Sequence, residues 1–212
     1  MPPMTDSTGT RIWSDHEMQM INTVEVFLHK PAIMKKTEQL LNDLNQALIS
    51  ELATDCRKFP EGIDMIKGQV VRGENHKGFP FISLDMPQFF TKQEMFTFRT
   101  LFWWGHCLVF SLIVKGDKLS QYLDTLLQYQ HEPTWQQTHI AITPTPWEWD
   151  LSTENYIALP THDANHLHKQ IKQIQYIKLC RFYPANSPEF FNMNWTTHGL
   201  TAWKDLSSIH QL

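Results

Sequence analysis

The chain has 212 residues, room for one large domain or two small ones. Hydrophobic residues make up 42% and the formal charge is −4, which describes an ordinary folded protein and excludes a broad nucleic-acid footprint. No basic segment precedes an apolar run at the start, and the longest apolar stretch, Leu108 to Val114, is too short to span a bilayer. These features predict a cytoplasmic protein with no membrane partner. Cys56, Cys107 and Cys180 form neither a disulfide framework nor a CxxC pair.

In chain order, residues 1–12 read as a flexible arm. Ser14 and Glu17 have the capping-box spacing, with Trp13 and Met18 placed as a hydrophobic staple, so a helix is expected from there to Lys30, stopped by Pro31. A second helix is expected over 32–54, with Ile33, Leu40, Leu41, Leu44, Leu48 and Leu52 in one apolar stripe. From Ile63 the pattern turns to strands: "MIKGQVVRG" and "FPFISLD" read as a hairpin joined by the loop "ENHKG", with Pro80 marking an edge strand.

Thr91 and Glu94 again show capping-box spacing, which predicts a helix over 91–104 with Met95, Phe98, Leu101 and Phe102 on one face and Gly105 as C-cap. "HCLVFSLIV" is the clearest strand, apolar on both faces and therefore central, with His106 on the face of Leu108, Phe110 and Leu112. A helix follows over 119–127, then strands in "QTHIAIT" and "NYIALP". A helix capped by Thr161 precedes the strand "YIKLCRFY". The tail from Pro184 reads as irregular, with a short helix near 202–209. Hairpins mixed with helices predict an α+β fold: a mixed, mostly antiparallel sheet packed against amphipathic helices, with an N-terminal helical pair. The expected division is one domain over 13–212, with a helical portion at 13–56, a sheet core at 63–183 and a tail at 184–212.

The chain has neither GxGxxG after a strand nor GxxxxGK[ST], so no nucleotide cofactor is expected. In "THDANHLHKQ", His162 and His166 share a helix face while His168 falls on the inward stripe. Two ligands are too few for a structural metal site, HExxH is absent, and no metal is expected. The loop "RGENHKGFP" offers acid, base and cation between two glycines.

The candidate catalytic residues are His76 and His106 as proton acceptors and Glu74 as orienter. The candidate ligand-binding residues are Arg99, as an anion anchor, with Trp103, Trp104, Trp147 and Trp149 as apolar walls; Trp147 and Trp149 share a face if the chain there is extended. The predicted function is small-molecule binding in a cleft beside residues 73–78 and 103–106. The alternatives are an interaction or structural module using exposed aromatic surface, and a small-molecule hydrolase or transferase. The N-terminal helical pair and the surplus of Trp together also predict a self-complementary patch and a homodimer.

Overall fold

A computed structural model describes residues 11–161 and 163–210. Most of the predicted arm, and His162, therefore lie outside the described residues. The chain divides into two compact units, one ending at Lys36 and the other running from Thr37.

The first unit holds α1 (Asp15–Ile21) and the start of α2 (Glu25–Leu52). The capping box forms as its spacing requires: the Glu17 amide donates to Ser14 Oγ, and the Ser14 amide donates to the Glu17 carboxylate. This first helix ends at Ile21, with Asn22 as C-cap, well short of Pro31. Pro31 lies inside α2 instead of stopping a helix. It removes one i to i−4 bond from a helix of 28 residues, a local loss that the remaining ladder tolerates.

The second unit is a seven-stranded antiparallel sheet with helices, ordered β1-β2-β3-β4-β7-β5-β6. The strands are β1 (Gln69–His76), β2 (Phe79–Phe90), β3 (Met95–Trp103), β4 (Cys107–Lys115), β5 (His139–Ala141), β6 (Tyr156–Ala158) and β7 (Ile177–Pro184). The helices are the rest of α2, α3 (Leu119–Tyr129), α4 (Ala164–Ile174), α5 (Pro188–Asn192) and α6 (Trp195–Leu206).

One sheet face carries Ile82, Leu84, Phe96, Phe98, Leu108, Phe110, Leu112 and Leu179, all buried. The helices pack there: Trp203 of α6 lies 5.5 Å from Phe98, and Gly199 is so close to Leu44 of α2 and Phe110 of β4 that a Cβ would stand 2.6 Å and 3.1 Å from them. Leu41, Leu44, Leu48 and Leu52, the predicted stripe, are buried.

Five further expectations are corrected. Residues 95–103 form a strand, not a helix. Thr91 and Glu94 do bond, with the Glu94 amide donating to Thr91 Oγ1 at 2.8 Å, but the Thr91 amide also donates to Glu94 O and closes a turn between β2 and β3. Since both faces of β3 are covered, its apolar residues fall on both, and that imitates helical spacing.

Pro80 stands in β2, which is paired on both sides, with β1 at the edge. A register shift in β1 between Gly73 and His76 lies opposite Pro80, where no ladder donor is called for. The "ENHKG" loop shrinks to the two-residue turn Lys77–Gly78, both at positive φ (51° and 89°), with the Gly78 amide bonded to Asn75 Oδ1. Asp163, not Thr161, caps α4, through the His166 amide. The tail is largely helical: α6 covers 12 residues and starts on an Asn194 cap.

The backbone amides of β4 from Cys107 to Val114, paired on both sides and buried, are expected to exchange among the slowest in the protein. Hydrogen-exchange mass spectrometry tests this, and rapid exchange across that strand would contradict the central placement.

Candidate functional site

The second sheet face is chemically unlike the first. Cross-strand register places Asp85, Arg99, Ser111, Cys180 and His139 in one row. The adjacent row on one side contains Gln88, Thr97, Ile113 and Lys178, and the row at the far end contains Phe81, Trp103, Cys107 and Pro184. Residues 142–155, which join β5 to β6, form a strap across this face and carry Trp147, Glu148 and Trp149.

Two cations stand under the strap, and each lies against one of its tryptophans. Arg99 donates to both oxygens of buried Asp85, at 2.7 and 2.5 Å, while its guanidinium sits 4.4 Å from the Trp147 ring centroid. Thr97 Oγ1 supplies a further bond to Asp85. This two-point pairing holds the guanidinium plane fixed.

Lys178 has no exposed surface. Its Nζ donates to the Glu148 carbonyl at 2.5 Å and to Tyr156 Oη at 2.9 Å, and lies 3.3 Å from the Trp149 ring centroid. The ammonium is thereby saturated by a carbonyl, a hydroxyl and an aromatic face. Burial pushes its pKa down to about 8, with the nearby Arg99 charge acting in the same direction.

Glu148 fastens the strap a second time. Its carboxylate accepts from Lys77 Nζ at 2.8 Å and from the Trp149 and Asp150 amides at 2.9 Å. Burial opposes its ionisation, but these donors outweigh it and hold the carboxyl below its ordinary value. Tyr156 Oη also donates to the Glu148 carbonyl, at 2.6 Å.

At the β3–β4 turn the strap leaves a pocket of about 230 Å³, lined by Trp103, His106, Cys107, Trp149, Asp150, Leu151, Phe182 and Pro184. His106 precedes β4 and stacks on Trp103, with centroids 3.6 Å apart and planes 11° apart. It therefore sits on the Trp103 side of the sheet, opposite to the face its parity with Leu108 predicts. The His76 ring also packs on Trp103, edge to face, with centroids 5.0 Å apart. Its Nε2 is buried without a hydrogen-bond partner, and burial lowers its pKa. Burial also pushes the Cys107 thiol up to about 12, so it stays a protonated, unreactive wall.

Of the sequence-selected residues, His76, Trp103, His106 and Trp149 gather at this end of the sheet. Trp147 lies on Arg99, which stands four residues, about 13 Å of strand, from Trp103. Trp104 projects to the helix side, its ring 6.4 Å from Phe102. Glu74 is exposed in the irregular part of β1, and the His76 ring packs on Trp103 and Phe81. His168 bonds Asp124 of α3 through Nε2 at 2.8 Å. Among the described residues no group of three His, Cys, Asp or Glu is placed to hold a metal ion. None of their helices is long and apolar enough to cross a membrane.

The sequence offers Glu74 or Asp85 as the partner of Arg99, and it is Asp85; sequence reasoning missed Lys178, Tyr156 and Glu148. A lysine inside the apolar strand "YIKLCRFY", two positions from Cys180 and hence on its face, is a signal that was available.

A larger cavity of about 510 Å³ lies at the opposite end of β3 and β4 and includes Phe59, Phe89, Met95, Phe96 and Tyr122. Its lysines, Lys58, Lys115 and Lys118, are matched by Glu61, Glu94 and Asp117, all six exposed. It contains none of the sequence-selected residues. Volume alone favours it. The smaller pocket is the better candidate because its aromatic wall Trp149 rests on a buried polar group, Lys178, that is itself held in a fixed position. The chain matches no family model, no curated protein and no solved structure.

Lys178 generates a pH test. Its folded pKa, about 8, lies below the ordinary 10.5, so above pH 8 the unfolded chain binds more protons and this group's contribution to stability rises with pH up to about 10.5. The thiols of Cys107 and Cys180 act oppositely above pH 9, since burial raises both, and a difference between variants cancels them. Wild type compared with Lys178→Met is expected to gain about 1 kcal/mol between pH 8 and 9, measured by urea unfolding. A pH-independent difference would contradict the buried ammonium.

Proposed function

We propose that the chain is a ligand-binding domain whose site is the pocket between Trp103, His106 and Trp149. What carries this reading is one arrangement: an imidazole stacked on one tryptophan, facing a second tryptophan that Lys178 holds in place. Rings presented in this way grip a flat apolar group at little entropic cost. A volume of about 230 Å³ is below that of sites for drug-sized molecules, so the ligand is a single ring or a molecule of similar size. Asp150, exposed on the rim, favours a ligand whose polar end is neutral or cationic.

His76 and His106 both pack on Trp103 and are the residues through which a hydrolase or transferase activity would act. Binding is the reading with more support, since Arg99 is already paired with Asp85 and Cys107 is held as a thiol. A second reading, an interaction module, is favoured by the exposed aromatic rings of Phe79 and Trp147.

Saturation-transfer NMR with benzylamine and benzoate tests the pocket. Benzylamine is expected to receive saturation more strongly than benzoate, and His106→Ala is expected to weaken it about tenfold by removing one stacked wall. Phe90→Ala, at the far end of β2, is expected to leave it unchanged. Transfer to neither probe, or an effect of His106→Ala no larger than that of Phe90→Ala, would refute the site.

A further inference from the structure

Among the described residues, the N-terminal unit is rich in exposed apolar side chains. Trp13, Met20, Ile21, Val24, Phe27 and Leu28 are between 51% and 73% exposed, and no residue of α1 is buried. Val24, just before α2, and Phe27 and Leu28 in its first turn follow at spacings of three and one and fall on one face, so the start of the helix carries an uncovered apolar stripe. We propose that residues 11–36 are a dimerisation module whose partner is a second copy of this chain.

Three observations select that partner. The first is area. At the exposures just given, the six side chains present on the order of 700 Å² per chain, so a two-fold pairing covers about 1,400 Å², within the ~1,200–2,000 Å² of specific interfaces. A monomer's largest apolar patch is usually only about 300–600 Å².

The second is the order of residues on one exposed face of α2. Glu25, Leu28, Ala32 and Lys36 follow at spacings of three, four and four, and all are exposed. An antiparallel copy sets Glu25 of each chain near Lys35 and Lys36 of the other. Leu28 packs across the axis, and the small Ala32 permits close approach. A two-fold axis requires this kind of self-complementary pattern.

The third is charge. Residues 11–36 hold four cations, Arg11, Lys30, Lys35 and Lys36, against three anions, Asp15, Glu17 and Glu25, and Arg11 is already paired with Asp15 at 2.7 Å. A helix that lies on an anionic bilayer needs a strongly basic polar face, which this segment lacks. The near-neutral balance also leaves little like-charge repulsion between two copies.

Sedimentation velocity of the full chain from about 1 to about 100 µM is the test. Wild type is expected to convert from monomer to dimer within that range, and Leu28→Glu to raise the dissociation constant at least about tenfold. Glu25→Lys is expected to weaken the dimer, and Glu25→Lys combined with Lys36→Glu to restore it. Near-UV circular dichroism matching the wild type shows that each variant is folded. A wild-type monomer at the top concentration would overturn the proposal. So would a charge-reversed pair that fails to restore association, or a monomer that floats with phosphatidylcholine–phosphatidylserine vesicles in a Leu28-dependent way.

Discussion

A lysine side chain with no contact with water must keep its ammonium hydrogen-bonded or lose its proton. Lys178 keeps it bonded by drawing in the strap: the Glu148 carbonyl and the Trp149 ring occupy its coordination sphere, with Tyr156 as the third partner. Removing such a charge from water costs several kcal/mol, and only donors and acceptors already in place return it. The position of residues 147–149 is therefore tied to one side chain of β7. The pocket beside Trp103 depends on it too, because Trp149 is one of its walls.

The sheet divides two kinds of chemistry between its faces. On the helix side, Phe98, Phe110 and Trp203 make a dry core in which shape and area are the organising quantities. On the strap side, Asp85, Arg99, Thr97 and Lys178 form a polar layer in which every charge has a named partner. An antiparallel sheet in water can leave its second face solvated, whereas this one carries a short irregular segment pinned by charges. Such a cover is held by a few strong contacts and so can leave a pocket at its margin, which a continuous apolar layer would fill. Glu148 ties the strap to the β1–β2 turn through Lys77, so the His76 end of the sheet and the Lys178 strand are joined by one residue.

The α+β class, the hairpin at 69–90 and the central place of β4 were legible, because each rests on local signals: strand-length apolar runs bounded by Gly and Pro. β3 was not. Its neighbours cover both faces, so Phe96, Phe98, Leu101 and Phe102 lose the alternation that marks a half-exposed strand. Thr91 and Glu94 use in a β-turn one of the two bonds that open a helix, the Glu94 amide to Thr91 Oγ1, while the Thr91 amide turns to the Glu94 carbonyl. The candidate site was legible in part. Trp103, His106 and Trp149 attracted notice through residue type, and cross-strand register then brought His76 to them. The row that contains Asp85, Arg99 and Cys180 depends on pairing partners far apart in sequence, and no local pattern encodes it. Lys178 was hidden for a related reason: one polar residue in an apolar strand reads as an outward-facing position until the strap is known to cover it.

The most direct measurement is amide exchange at Trp149 and Asp150, whose N–H groups donate to the Glu148 carboxylate, in wild type and in Lys178→Met. If the lysine holds the strap, both amides are expected to exchange at least about tenfold faster in the variant, while the β4 amides keep their wild-type rates. Equal exchange at Trp149 and Asp150 in the two proteins would show that the strap stands without Lys178.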